Sequence, residues 1–231
     1  MYTSQGKYEQ AEPFYERALA IREQQLGPEH PDTATSLNNL AGLYAGQGKY
    51  EQAEPLYQRA LSIYEQKLGP QHPDTSMTLS NLAILYTDHG KYEEAEPLHQ
   101  RALAICKQEL GATHPATATS LNNLAGWYES QGRYAEAEPL HQRALAVSEQ
   151  QLGPEHPEVA YPLNNLALLY QEQGKYAEAE SLFLLALAIR EQRLGHDHPL
   201  TQIVCKNYAT LLRTMGREEE AKQLEEIVKS Q

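Results

Sequence analysis

The sequence predicts an all-α fold, a right-handed superhelical solenoid built from antiparallel pairs of helices. An internal repeat of 42 residues runs through the chain, and a glycine marks every unit: Gly6, Gly48, Gly90, Gly132, Gly174 and Gly216. His-Pro pairs recur at the same interval, and apolar residues follow helical spacing within each unit. Such a repeat indicates one supersecondary unit stacked many times.

The first helix of each unit is predicted to begin at the His-Pro pair. In the unit that starts at Pro73, the proline lies at about the first helical position and Asp74 in the first turn, where both are favoured. Leu79 and Leu82 then fall on one helix face. Gly90 follows the last turn and predicts the end of this helix.

The second helix of that unit is predicted from Tyr92 to Leu110, with Ala95, Leu98 and Ala102 at helical spacing. Four units carry a proline near the N-terminal end of the second helix. We expect the helix to tolerate this proline at the loss of about one hydrogen bond. These prolines are Pro13, Pro55, Pro97 and Pro139. Neither helix can bury its apolar stripe alone, so the units must stack.

The predicted organisation is a single array over residues 1–231. It comprises a partial unit with only its second helix, four full units, and a last unit with a capping helix. Their boundaries are 1–30, then 31–72, 73–114, 115–156 and 157–198, then 199–231.

Composition excludes several classes of protein. With 41% hydrophobic and 22% charged residues, the chain resembles neither disordered nor membrane proteins. A formal net charge of −12 disfavours nucleic acid and anionic membranes as partners. Cys106 and Cys205 are too few for a disulfide framework, and no secretory signal is visible, so we expect a cytoplasmic location.

Two segments of the unit resemble the tetratricopeptide repeat, namely Leu37-x2-Leu40-Ala41-x2-Tyr44 and Ala53-x3-Tyr57. The usual unit of that family has about 34 residues. The longer unit here, with Asn38-Asn39-Leu40-Ala41 and Gly48-Lys49-Tyr50-Glu51-Gln52-Ala53-Glu54, is similar to the kinesin light chain type, which has bacterial, notably cyanobacterial, relatives. This resemblance implies a concave groove, lined by the first helices, that captures extended peptides through asparagines and basic residues.

Asparagines recur in the middle of the predicted first helices: Asn39, Asn81, Asn123, Asn165 and Asn207. The position before them holds Asn38, Ser80, Asn122, Asn164 and Lys206. Apart from Ser80, these are the candidate peptide-binding residues. Asn is a mediocre helix former, so its recurrence calls for a reason. An amide could pair with the N–H and C=O of any extended peptide. Alternatively, each amide bonds an adjacent helix and only fixes the packing.

Charge distinguishes this chain from the kinesin light chain pattern. Asp88, Glu129 and Glu172 lie at the predicted groove edge, whereas Lys206 and Arg213 occur only in the last unit. We therefore expect a protein or peptide ligand that is neutral or basic, with an apolar anchor as one possibility.

No pattern predicts catalysis, a cofactor or a metal site. Histidines of successive His-Pro pairs are one unit apart, too far to share an ion, so packing or capping is expected of them. His99 and His141 replace Tyr57 in a core register, which predicts buried, hydrogen-bonded imidazoles. Trp127 stands in a leucine register, which favours packing and leaves exposure to the groove as the alternative.

The two ends of the array predict different behaviour. Glu218 and Glu225 replace aromatic residues of earlier units, which is typical of a terminal cap. The helix over residues 8–26 has an apolar face that stays uncovered unless something packs on it. The sequence therefore leaves two functions open: a non-enzymatic scaffold that binds peptides in its groove, and a module that self-associates through its N-terminal helix as a weak homo-oligomer.

Overall fold

The computed structural model describes residues 8–229, and the side chains of residues 9–226. Across this range the chain forms helices and no strand, which confirms the all-α prediction. Eleven α-helices follow one another: α1 (Tyr8–Leu26), α2 (Pro31–Gly46), α3 (Tyr50–Lys67), α4 (Pro73–Asp88), α5 (Tyr92–Ile105), α6 (Pro115–Ser130), α7 (Tyr134–Leu152), α8 (Ala160–Glu172), α9 (Tyr176–Leu194), α10 (Pro199–Thr214) and α11 (Glu218–Lys229).

The helices form two compact units that divide between Ala112 and Thr113. In the first unit, α1 to α5 each pack against the next helix along the chain. In the second unit, α6 to α11 do the same. Contacts within each unit are therefore mostly local in sequence, as expected of stacked repeats. The boundaries of the individual 42-residue repeats stay a prediction.

Each first helix begins with the same histidine cap. Nδ1 of His30 accepts a hydrogen bond from the backbone N–H of Asp32 at 3.1 Å, and Pro31 occupies the first helical position. This satisfies one of the N–H groups that every helix start leaves without a partner. The same bond recurs at His72, His114, His156 and His198, so the predicted capping role is confirmed.

The first helix of the fourth full unit starts differently from its neighbours. A 3₁₀ turn covers Pro157–Val159, and the α-helix begins only at Ala160. Pro162 has no N–H, so it cannot donate to the carbonyl of Glu158 as a regular α-helix requires. The later helix start follows from this missing donor.

Glycine ends the first helices as predicted. Gly48 has a φ of 72°, a left-handed conformation that favours glycine, and the N–H of Lys49 bonds back to the carbonyl of Tyr44 at 2.9 Å. The tight turn lets α3 run back along α2. The prolines predicted to be tolerated in second helices all lie inside them.

Small and large apolar residues alternate in the core of each unit. In the second unit Ala167, Ala179 and Ala186 have no exposed surface, and Leu163 and Phe183 are at most 1% exposed. The alanines allow neighbouring helices to approach closely, and the larger side chains fill the remaining space. The same pattern covers the first unit, where Ala53 and Ala60 are fully buried.

Within each unit, polar contacts join consecutive repeats. A carboxylate of one second helix, Glu54, accepts hydrogen bonds from Lys91 at 2.7 Å and from the Tyr86 hydroxyl at 3.0 Å. In the second unit, Glu138 accepts the equivalent bonds from Lys175 and Tyr170. The lysine bond lowers the pKa of Glu54, so these pairs stay charged at neutral pH.

The two glutamates that distinguish the last repeat both lie near one arginine. Arg213 lies 2.9 Å from Glu225 and 3.6 Å from Glu218. These residues therefore replace aromatic packing by ion pairs at a partly exposed end.

Leu163→Ala should destabilise the protein by about 2–5 kcal/mol, because it leaves a cavity in the second unit. Leu163 is 1% exposed, whereas Leu184 is 48% exposed, so Leu184→Ala should change stability by no more than about 0.5 kcal/mol. Urea unfolding monitored by circular dichroism measures both. Equal effects of the two substitutions would contradict the core assigned here.

Stability should also fall in acid because of one imidazole. Burial lowers the pKa of His99 to about 4, below the value of about 6.5 expected when the chain is unfolded. The unfolded state therefore binds one more proton between these values, and stability is lost as the pH falls from about 6.5 towards about 4.

Replacing His99 by Phe, the residue at the same register in Phe183, tests this coupling. Between about pH 7 and about pH 5, the stability lost should be about 2 kcal/mol smaller in His99→Phe than in the natural protein. Urea titrations at the two pH values provide the comparison. An identical loss in both proteins would mean that His99 is not the group responsible.

Candidate functional site

The recurring asparagines lie at or near the surface of every first helix. Asn39 on α2 is exposed, and Asn81 on α4 is half-buried. In the second unit Asn123, Asn165 and Asn207 are half-buried on α6, α8 and α10. Each first helix therefore presents one side-chain amide that solvent can reach in part.

The position before each of these asparagines is mostly buried. Asn38, Asn122 and Asn164 are 5%, 5% and 7% exposed, and Ser80 is 8% exposed. In α10, the first helix of the last repeat, this position holds Lys206, which is exposed. The two neighbouring registers thus have different surroundings, which their sequence did not reveal.

Buried asparagines hold surface asparagines of the next repeat. Nδ2 of Asn81 donates to Oδ1 of Asn38 at 3.3 Å, and Nδ2 of Asn207 donates to Oδ1 of Asn164 at 2.9 Å. An amide carries two N–H donors and an oxygen acceptor. Each surface amide therefore fixes the packing with one N–H and retains its oxygen and second N–H. The two interpretations of the sequence are compatible at these positions.

Asn122 is bonded differently, through a buried histidine. Its Oδ1 lies 2.7 Å from Nδ1 of His141, and Nε2 of His141 lies 2.9 Å from Oε1 of Glu129. His141, on α7, is 1% exposed and contacts two side chains of α6, Asn122 and Glu129. The buried, hydrogen-bonded imidazole predicted at this position is therefore present. His99 has a weaker contact, 3.5 Å from the Thr87 hydroxyl.

Apolar side chains stand one helical turn before the surface asparagines. Met77, Tyr161 and Ile203 are 46%, 46% and 50% exposed. Residues four apart lie on the same face of a helix, so these side chains flank Asn81, Asn165 and Asn207 respectively. Each such face combines an amide with an exposed apolar group.

A cavity of about 280 Å³ opens between α6 and α8 in the second unit. Thr119 and Asn122 line it from α6, Val147 and Ser148 from α7, and Glu158 and Tyr161 from the start of the next repeat. The sequence analysis missed this cavity. It lies one turn before Asn123 and Asn165, on the face that carries the surface amides.

The single tryptophan does not belong to this surface. Trp127 is 4% exposed and packs edge-on against Tyr128, with ring centroids 5.1 Å apart. The guanidinium of Arg133 lies 5.7 Å from its ring centroid. The packing role predicted for Trp127 is confirmed.

The charge on the first helices is negative or neutral except in the last repeat. Helices α2, α4, α6 and α8 contain no lysine or arginine. Asp88 and Glu172 are exposed, and Glu129 is bonded to His141. On α10, Arg213 forms ion pairs with Glu218 and Glu225, and both Arg213 and Lys206 are exposed.

No group of three or more His, Cys, Asp and Glu side chains within residues 8–229 is placed to hold a metal ion. Over the same range, none of the helices combines the length and apolar character needed to cross a bilayer.

A family model described as tetratricopeptide repeat matches residues 1–66, 38–108, 74–150, 117–192 and 158–226. The chain belongs to the tetratricopeptide-repeat family. Repeats of this family generally mediate protein–protein interaction, and related proteins are typically non-catalytic scaffolds. A comparison with curated protein sequences finds no match.

Solved tetratricopeptide structures share this fold. The kinesin light chain nearly identical repeats of Podosopora anserina are 29% identical with a TM-score of 0.69, covering 87% of this chain and 95% of that one. BtubC (BKLC) from P. vanneervenii is 25% identical with a TM-score of 0.74, covering 98% and 90%. PilF of Pseudomonas aeruginosa is 25% identical with a TM-score of 0.59, covering 87% and 77%. The kinesin light chain-like type inferred from the sequence is thereby confirmed.

Asn164→Ala should destabilise the protein by about 1–3 kcal/mol, because it removes a buried acceptor and leaves Asn207 without that bond. Asn165→Ala, at the partly exposed neighbouring position, should cost less than about 0.5 kcal/mol. Urea unfolding compares the two variants. A smaller effect at Asn164 than at Asn165 would contradict the positioning role.

Proposed function

We propose that this tetratricopeptide protein is a non-enzymatic scaffold that binds an extended peptide, or an extended segment of a partner protein, along its first helices. The observation that carries the proposal is the series of partly accessible amides at one register. The side chain one turn earlier on the same helix is exposed in four repeats, at Met77, Thr119, Tyr161 and Ile203, and half-buried at Thr35. The predicted concave groove is the surface to which we assign binding.

The amides suit an extended backbone of any sequence. Asn81 and Asn207 are held by buried asparagines of the preceding repeat, so their remaining oxygen and N–H point in a fixed direction. Pre-orientation reduces the entropy that binding costs. A peptide backbone offers the complementary N–H and C=O groups at every residue. Asn39, Asn123 and Asn165 are the further candidates for backbone contacts. The buried Asn38 and Asn164 contribute by orienting the surface amides of the next repeat, and Asn122 bonds to His141.

Side-chain specificity would come from neighbouring positions. Tyr161 and Ile203 are exposed beside the amides of the second unit and can contact apolar peptide side chains. The absence of cations from α2, α4, α6 and α8 favours a neutral or basic peptide over an acidic one. Lys206 is an exposed cation of α10 and would sit at one end of the ligand. We also propose a cytoplasmic location for the protein, as predicted from the sequence.

Peptide display on the natural protein tests this function. A selected peptide should bind the double variant Asn123→Ala/Asn165→Ala at least about tenfold more weakly, because two backbone contacts are lost. The matched control is Gln150→Ala/Gln192→Ala, which removes two exposed amides from the second helices α7 and α9. Its affinity should stay within about twofold. Calorimetry measures both affinities.

Two results of that experiment would reject the proposal. One is a selection that yields no peptide above the background of the double variant. The other is an affinity of the double variant that equals that of the control. Selected peptides with net negative charge would leave the scaffold function standing and contradict the predicted charge preference.

One feature of α1 favours self-association as a second candidate function. Phe14 is 64% exposed, and Ile21 and Leu26 are 41% and 44% exposed. Residues at the register of Phe14 in later repeats, such as Leu56 and Leu182, pack partly buried against core clusters. A second copy that packs on α1 would bury this apolar face.

Sedimentation velocity over a range of concentrations tests self-association. The mean sedimentation coefficient of the natural protein should rise with concentration, whereas that of Phe14→Gln/Ile21→Gln should not. The control variant Leu184→Gln, at an exposed apolar position of α9, should behave like the natural protein. A coefficient that is independent of concentration in all three would reject this candidate.

A further inference from the structure

One register of the second helices differs from repeat to repeat. It is occupied by Arg22, Tyr64, Cys106, Ser148 and Arg190. Nη1 of Arg22 donates to the carbonyl of Asp32 at 2.8 Å and to the Ser36 hydroxyl at 2.9 Å. Nη1 of Arg190 donates to the carbonyl of Leu200 at 2.7 Å. Asp32 and Leu200 are both the second residue of the next first helix, so two repeats place a guanidinium at the same point.

A third repeat fills the same space with an aromatic ring. Tyr64 is 1% exposed, and its hydroxyl lies 2.8 Å from Oγ1 of Thr35 on the first helix of its own repeat. Arg190 is similarly buried, at 4% exposed. In these repeats a large side chain of the protein itself closes the space between consecutive first helices.

Ser148 leaves that space open. Its short side chain turns back and donates to the carbonyl of Ala144 at 3.0 Å, within its own helix. The cavity of about 280 Å³ lies at this point, and Ser148 is part of its wall. Pockets for whole small molecules measure about 300–1,000 Å³. This cavity lies just below that range and has room for a single side chain.

The polar groups of the cavity match a guanidinium. Glu158 lines it and is the residue equivalent to Asp32 and Leu200, whose carbonyls each accept from an arginine of the preceding repeat. Because Pro162 supplies no N–H, the carbonyl of Glu158 lacks the bond that a regular α-helix would make from that position. It accepts from the N–H of Ala160 instead, and its second lone pair can accept from a guanidinium. The carboxylate of Glu158 adds a negative charge. Burial lowers the pKa of Arg190, and the negative charge of Glu158 acts against this shift.

The remaining walls suit the rest of an arginine side chain. Val147, Pro162 and Ala118 provide apolar contacts for its methylene groups. The ring of Tyr161, 46% exposed at the rim, can stack on a planar guanidinium.

We propose that this cavity receives an arginine side chain from the bound peptide, whose guanidinium takes the place that Arg22 and Arg190 fill in their own repeats. The inference rests on the proposed function and names its specificity. Thr119 and Tyr161 stand one turn before Asn123 and Asn165, about 6 Å along each helix. A backbone bonded to those amides would thus place one side chain in the cavity.

The probe for this site is N-acetyl-arginine methylamide, titrated into the ¹⁵N-labelled protein by NMR. We expect shifts at the amides of Ser148, Glu158 and Tyr161. The citrulline derivative has nearly the same shape without the charge, and should bind at least about tenfold more weakly. The lysine derivative should also bind more weakly, because it lacks the planar fork and its stacking.

Two substitutions test the location. Ser148→Arg supplies the guanidinium from the protein, as in two other repeats, and should abolish the shifts. Gln150→Arg adds the same charge at an exposed position of α7 and should leave binding within about twofold. Glu158→Gln should weaken the arginine derivative at least about tenfold while leaving the citrulline derivative unchanged. If Ser148→Arg does not fold, Ser148→Tyr copies Tyr64 and replaces it.

Equal binding of the arginine, citrulline and lysine derivatives would overturn the inference, as would undiminished binding to a folded Ser148→Arg or Ser148→Tyr variant. This failure is distinguishable from failure of the scaffold function. Displayed peptides that require Asn123 and Asn165 but tolerate the filled cavity would reject only the arginine site. A display selection without any peptide would reject the scaffold function, and the NMR titration would still decide whether the cavity binds arginine.

Discussion

Stacking of one helix pair on the next is the constraint on which the rest of the structure depends. A single pair of amphipathic helices exposes an apolar face that only a further pair can cover. Fully buried alanines such as Ala53 in the first unit and Ala179 in the second permit that close approach. Glu54 in the first unit and Glu138 in the second then tie α3 and α7 to a lysine and a tyrosine of the next repeat. Histidine caps and glycine turns repeat because this geometry repeats.

Stacking also determines where polar groups can be used. A buried asparagine must bond inside the protein, because an unpaired amide in the core is costly. Asn38 and Asn164 meet this requirement with the surface asparagine of the following repeat, and Asn122 with His141. The same bonds orient the surface amides. Packing and binding therefore use adjacent positions of one helix rather than competing for the same residue.

Departures from the repeat pattern carry the specificity. At the position equivalent to Thr35, other repeats carry Met77, Tyr161 and Ile203, and these side chains are exposed. At the position equivalent to Arg22, the third full repeat carries Ser148, and a cavity opens there. A repeat protein can vary such positions without loss of its fold, since each repeat is stabilised mainly by its immediate neighbours. Function in this architecture depends on sites placed on the fold.

The sequence by itself determined the helices, their order and the family, because a strict period with helix-start and helix-stop residues leaves little freedom in local structure. It also determined the capping histidines and the buried registers of Trp127 and His141. Only the tertiary structure decided which of two adjacent asparagines is buried, since that depends on how far each first helix rotates against its neighbours. It alone revealed the cavity at Ser148. A small residue predicts space only once the surrounding helices show that nothing else fills it.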